Sequence, residues 1–168
     1  ADLLTKVEAI AKAHEKTGIA AAVIHCSMHS YRNAETDEWR KLLGVTSHSH
    51  ERHRPLTVKN LNPKHPIMKT FPASWDTPNG ELYKIDKIWP STTPLAKAFG
   101  KDTGKDHLCI WTNLHGKARV FGTTLGHHNK TMQTEIYLDF LARGILWACG
   151  KLDSNGNPKT GYEPAKNQ

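Results

Sequence analysis

The chain has 168 residues, with 23 Lys+Arg against 16 Asp+Glu and a formal charge of +7 spread along its length. That length suits one domain with a sizeable core, and scattered positive charge without aromatics interleaved among arginines reads as a solvated surface, not a nucleic-acid groove. No apolar run is long enough to span a bilayer, and three distant cysteines, Cys26, Cys109 and Cys149, make no disulfide framework.

The opening segment, LLTKVEAIAKAHEKTG, places Leu3, Leu4, Val7, Ile10, Ala11 and His14 on one face at helical spacing, with Gly18 as the stop. It feeds a short apolar run, Ile19 to Ile24, that ends in His25, Cys26, Ser27 and His29. This pattern predicts a central strand, covered on both faces, that delivers reactive side chains at its carboxyl end. Asn33 to Leu43 follows as a second helix, with Asn33 or Thr36 as its cap, Trp39, Leu42 and Leu43 on its core face, and Gly44 at its end.

Val45 to Pro55 is polar, contains His48, His50 and His53, and reads as loop; Leu56 to Lys59 reads as a short strand. Asn62 to Gly80 is dense in proline and turn residues, which predicts irregular structure. Glu81 to Ile88 alternates like a half-buried strand, and Pro94 to Ala98 is another strand candidate. His107 to Thr112 and Ala118 to Thr124 form two stronger strands, joined as a hairpin through Asn113 to Gly116. The longest helix is predicted from Thr131 to Cys149, burying Met132, Ile136, Phe140 and Ile145 to Trp147. Residues 1–152 then make one domain, and 153–168 a polar, mobile tail. Cys109 and Cys149 lie in apolar runs and are assigned to the core.

Three places carry chemistry. At the strand end, a His or Cys on a sharp strand-to-helix turn projects into the crevice above a sheet. Leu125, Gly126, His127 and His128 follow a strand ending in paired threonines, so an imidazole there serves as base, acid or metal ligand. Glu81 starts its strand after the Asn79-Gly80 turn. The 11 histidines also raise a metal reading, with zinc as the candidate divalent ion and His25, His50 and His127 as its ligands. The spacing matches neither HExxH nor CxxC.

Six ordered motifs, HPI (His65 to Ile67), ELY (Glu81 to Tyr83), WT (Trp111, Thr112), GKARVF (Gly116 to Phe121), LGH (Leu125 to His127) and RGILWACG (Arg143 to Gly150), together resemble the ThuA-like, or trehalose-utilisation, family. That family lies in the class I glutamine-amidotransferase-like superfamily. The resemblance implies an α/β, flavodoxin-like, open and mostly parallel sheet with flanking helices. It also implies a pocket above the strand ends and a ligand that is a sugar or oxidised sugar. The family's elbow position falls on His25, with Cys26 beside it, and its late histidine falls on His127. Family members begin with a strand, a helix and a second strand that this sequence does not contain. A complementary chain, a missing N-terminal fragment or a rearranged sheet is therefore expected, and oligomerisation is left open. Since the sequence opens on alanine, a removed leader and both cytoplasmic and exported bacterial locations stay open.

Three functions compete. The first is a sugar-active enzyme in which His25, Glu81 and His127 act by acid–base or metal-assisted chemistry. The second is a non-catalytic carbohydrate-binding or assembly module. The third is a cysteine hydrolase that pairs Cys26 with His127.

Overall fold

The computed structural model describes residues 2–165. Helix α1 (Leu3–Thr17) starts on Asp2, whose carboxylate accepts from the Thr5 amide, and stops at left-handed Gly18. Strand β1 (Ala21–Ile24), a 3-10 turn (His25–Met28) and helix α2 (Glu38–Leu43) follow. Next come β2 (Val45–His50), β3 (Thr57–Asn60), a 3-10 turn at Pro66–Met68, and β4 (Ser74–Asp76). The rest is β5 (Tyr83–Ile88), β6 (Thr92–Phe99), β7 (Asp106–His115), β8 (Ala118–Thr123), α3 (Asn129–Met132) and α4 (Glu135–Ala148).

Six strands form one sheet in the order β1-β8-β7-β6-β3-β4, and β2 and β5 pair separately. The α/β class holds, but the mostly parallel sheet does not. Among the described residues only β1 and β8 run parallel, whereas every other pair is antiparallel. For β7 and β8 the reason is connection length: they are joined only through Gly116 and Lys117, and so short a link reverses the chain. The strand expected at the centre, β1, is instead an edge strand among the described residues, with Ala22 exposed.

The core is divided between the two faces of this sheet, and a register shift in the β6–β7 pairing lets neighbouring Cys109 and Ile110 share one face while Leu108 and Trp111 share the other. Leu108, Trp111 and Val120 pack with Ala11 of α1, Leu42 and Leu43 of α2, Val45 of β2 and Ile85 of β5. Cys109, Ile110 and Phe121 pack with Tyr137, Phe140 and Ala148 of α4. Two glycines make these layers fit: a Cβ on Gly122 would lie 2.2 Å from the Trp111 indole, and one on Gly144 would lie 2.5 Å from the Phe121 ring.

Several boundaries differ from expectation for identifiable reasons. Residues 45–50 are strand, not loop, because two bulges break the alternation that would have marked them. The proline-dense stretch holds the 3-10 turn and β4. The expected final helix is two, since Thr134 starts α4 by accepting from the Tyr137 amide. Met132 and Ile145 are consequently exposed, as are Leu3 and Ile10 of α1. Cys109 is buried, and burial pushes its thiol up to about 12, while Cys149 is exposed. Within the expected tail, Pro158 bridges back to Leu152 of the domain, and Asp153 accepts from the Asn155 and Asn157 amides. Residues 166–168 of that tail lie outside the described residues.

Candidate functional site

The parallel register sets Ile24 opposite Thr123, so the residues after each strand, His25 and Thr124, leave the sheet side by side. His25 adopts φ +46, a left-handed conformation costly for a residue with a Cβ, and begins the 3-10 turn. This elbow is the sharp strand-to-helix turn the sequence suggests. It buries the imidazole and brings Nδ1 to 2.8 Å from the Thr124 carbonyl oxygen. A carbonyl only accepts, so Nδ1 carries the proton and the Nε2 lone pair faces the pocket. Burial holds the His25 pKa below the ordinary histidine value, against the opposing pull of the Thr124 carbonyl and Glu81.

His127 arrives from the end of β8 through Gly126, whose φ is +127. A Cβ there would come within 2.6 Å of the Tyr137 hydroxyl, so glycine is required for this path. His127 Nδ1 lies 3.3 Å from His25 Nε2. Glu81 reaches both from just before β5: its Oε2 is 3.3 Å from His25 Nε2 and 3.4 Å from His127 Nδ1. Among the described residues these three are the group whose ligand atoms converge for a metal ion. No cysteine joins them, and Cys26 sits exposed on the 3-10 turn beside the elbow.

The spacing is chemically informative. Three bonds of about 2.0–2.1 Å to a tetrahedral ion set ligand–ligand edges of roughly 3.3–3.4 Å, which is the triangle seen here. Two imidazole nitrogens and one carboxylate oxygen also match the His2Glu donor set of zinc centres that keep a fourth position open. Without a cation, the Nε2 lone pair of His25 and the buried carboxylate of Glu81 face one another, a repulsion that only an intervening proton or metal relieves.

The other oxygen of Glu81 has different company. His53 Nε2 is 2.7 Å from Oε1, and His50 Nε2 is 3.7 Å from it. The expected ligand set of His25, His50 and His127 is thus only partly assembled, because His50 lies on the far side of the carboxylate. His29 and His53 stand out in the sequence at the strand end and in the histidine-rich stretch but are not among the residues assigned to the site, and Tyr83 enters only through the ELY motif. Tyr83 is two residues beyond Glu81, and period-two alternation was the available signal for it. The Tyr83 ring is buried, with His29 stacked on it at 4.2 Å and 10°. Burial, then Cys26 and Glu81, raise the Tyr83 hydroxyl pKa, so the group stays protonated. His29 is pushed down to about 4, chiefly by burial and then by Arg32.

Comparison with known proteins follows this geometry. The family model ThuA, described as trehalose utilisation, matches residues 3–148. No curated protein matches the chain. A solved ThuA-like structure from Parabacteroides merdae superposes with a TM-score of 0.71 at 19% identity, covering 88% of this chain and 64% of its own. One from Bacteroides uniformis gives 0.69 at 19% identity with the same coverage. A cytoplasmic protein from Salmonella typhimurium gives 0.59 at 12% identity, covering 84% of this chain and 58% of that one. The chain therefore spans less than two thirds of the length of these structures, and at such identities the likeness is one of fold.

Proposed function

The chain belongs to the ThuA family, whose description is trehalose utilisation, and from that premise we propose that His25, Glu81 and His127 form a divalent-metal centre acting on a sugar or oxidised sugar. The observation that carries this reading is the triangle of His25 Nε2, Glu81 Oε2 and His127 Nδ1, with edges of 3.3, 3.3 and 3.4 Å. Zinc fits the donor set best. Bound there, the ion would supply Lewis-acid polarisation of a carbonyl or glycosidic oxygen.

The chain's own residues supply the rest. The Thr124 carbonyl fixes the His25 tautomer, and the elbow aims its Nε2 into the pocket. Glu81 brings the negative charge that offsets a cation in a site where its own side chain is nearly buried. His127, about one third exposed, forms the open side from which a sugar would enter.

A second reading uses the same residues without metal. One proton on His127 Nδ1 satisfies both Glu81 Oε2 and His25 Nε2, and Glu81 and His127 would then exchange that proton with the substrate. Metal content separates the two. The purified protein is expected to carry about one zinc per chain by elemental mass spectrometry, and chelation is expected to remove turnover on trehalose or its oxidised forms, with zinc restoring it. Full turnover in metal-free protein would instead select the acid–base reading. Ligand binding without turnover in either form would leave a carbohydrate-binding module. Cysteine hydrolysis requires Cys26 at the reacting atoms, so alkylation that leaves turnover intact removes it.

We also propose that the open edge of β1 accepts a strand from a complementary chain or fragment, since its outer backbone groups have no sheet partner among the described residues. Native mass spectrometry of the protein as purified checks this: a strictly monomeric species that is fully active would overturn it.

A further inference from the structure

We infer that His53 is a positioning residue for Glu81, holding its carboxylate in the one orientation that presents Oε2 to His25 and His127; this rests on the metal reading above.

The backbone places the two residues face to face. The Glu51 amide donates to the Leu82 carbonyl at 2.8 Å, and the Arg54 amide donates to the Gly80 carbonyl at 3.0 Å. Glu81 is therefore bracketed on both sides by the segment that carries His53. That segment is itself tied down, because the buried Glu51 carboxylate accepts from the Arg54 guanidinium at 2.7 Å and from the Asp102 amide at 2.8 Å. His53 sits inside this clamp, with its ring 4.3 Å from the His127 ring and its Nε2 2.7 Å from Glu81 Oε1.

A carboxylate can rotate about its last torsion, and either oxygen would serve a single ion. A hydrogen bond from His53 Nε2–H to Oε1 removes that freedom, which is how outer partners raise the affinity of a metal site. His50 offers the internal control. It belongs to the same segment and faces the same oxygen, but at 3.7 Å it makes no hydrogen bond, and its Nδ1 is engaged by the Glu51 carbonyl.

Zinc affinity measured by competition with a chromophoric chelator tests the assignment on the full chain. His53→Ala is expected to weaken zinc binding about 10- to 100-fold. His53→Gln, which keeps an N–H donor near the same place, is expected to recover most of that loss, and His50→Ala to change affinity by less than about threefold. A crystal structure of zinc-loaded His53→Ala should show the Glu81 carboxylate turned or disordered. If wild-type and His53→Ala bind zinc equally, or if the Gln variant is as weak as Ala in a folded protein, the positioning role falls while the metal centre stands. If the wild type binds no zinc, both fall.

Discussion

The elbow and the strap that close on Glu81 from opposite sides are built by different means. The elbow, residues 24–29 with 123–127, grows out of paired parallel strands, and its histidine aim follows from sheet register, a left-handed residue and one backbone carbonyl. The strap, residues 45–54, is a bulged ribbon outside the main sheet, and its histidines hang from a two-strand pairing. The side of the carboxylate facing the elbow meets converging lone pairs, whereas the side facing the strap meets one hydrogen bond and one histidine out of range. The main sheet thus aims the two imidazoles that would bind an ion, and the β2–β5 ribbon and its flanking segment bring Glu81 to them and hold its carboxylate.

Exchanging the roles of the two regions is the hardest test of that difference. His25→Ala removes a buried ligand and is expected to lower zinc affinity by more than about 100-fold, beyond the range for outer partners, whereas His48→Ala on the strap should leave it unchanged. His48 is half exposed and pairs with Asp86, away from the triangle. Comparable losses at the two positions, read by the same chelator competition, would break the contrast. A smaller effect is expected from the floor of the elbow. Gly122→Ala drives a methyl into the Trp111 indole beneath the β1–β8 pairing and is expected to cost about 1–3 kcal/mol by urea denaturation. Ser49→Ala on the strap, exposed and without a side-chain hydrogen bond among the described residues, should stay within about 0.5 kcal/mol.

The same contrast decides what was legible in the sequence. Residues whose position follows from strand ends and turn glycines, namely His25, Glu81 and His127, are marked locally, and the structure brings them together. Gly126 is legible as well, and the Tyr137 hydroxyl gives its physical reason. His53 was not legible, because its approach to Glu81 depends on the pairing of 51 with 82 and 54 with 80, contacts between segments about thirty residues apart with no local periodicity. Sheet direction was misjudged for a related reason. The β7–β8 hairpin was readable, and a hairpin is antiparallel, yet the expectation of a mostly parallel sheet came with the family resemblance. The end of the chain is read by composition alone, and composition misses Gly156, which is buried and whose carbonyl accepts from the Arg143 guanidinium.

A further effect, of about the size of the lower bound for Gly122→Ala, is one of pH, and it lies where elbow and strap touch. His29 comes from the elbow turn, stacks on Tyr83, and has its Nε2 3.1 Å from the Ser47 hydroxyl of the strap. Burial, then Arg32 and two neighbouring histidines, push it down to about 4, against 6.5 for the free side chain. Between those values the unfolded chain takes up a proton that the folded chain refuses, so stability conferred above pH 6.5 is lost as pH falls toward 4. Burial at His25 shifts its pKa in the same direction and adds to the slope. Because the His29 imidazole is only partly buried, solvent screening reduces its share to about 1 kcal/mol, or roughly 2–4 °C in Tm. His29→Phe keeps a ring against Tyr83 and removes the titration, at the expense of the Ser47 hydrogen bond. The variant should therefore be somewhat less stable at pH 7.5 and lose less Tm than the wild type between pH 6.5 and 4. Parallel melting curves over that interval would assign the acid sensitivity to the elbow's own His25 and leave the seam between elbow and strap electrostatically silent.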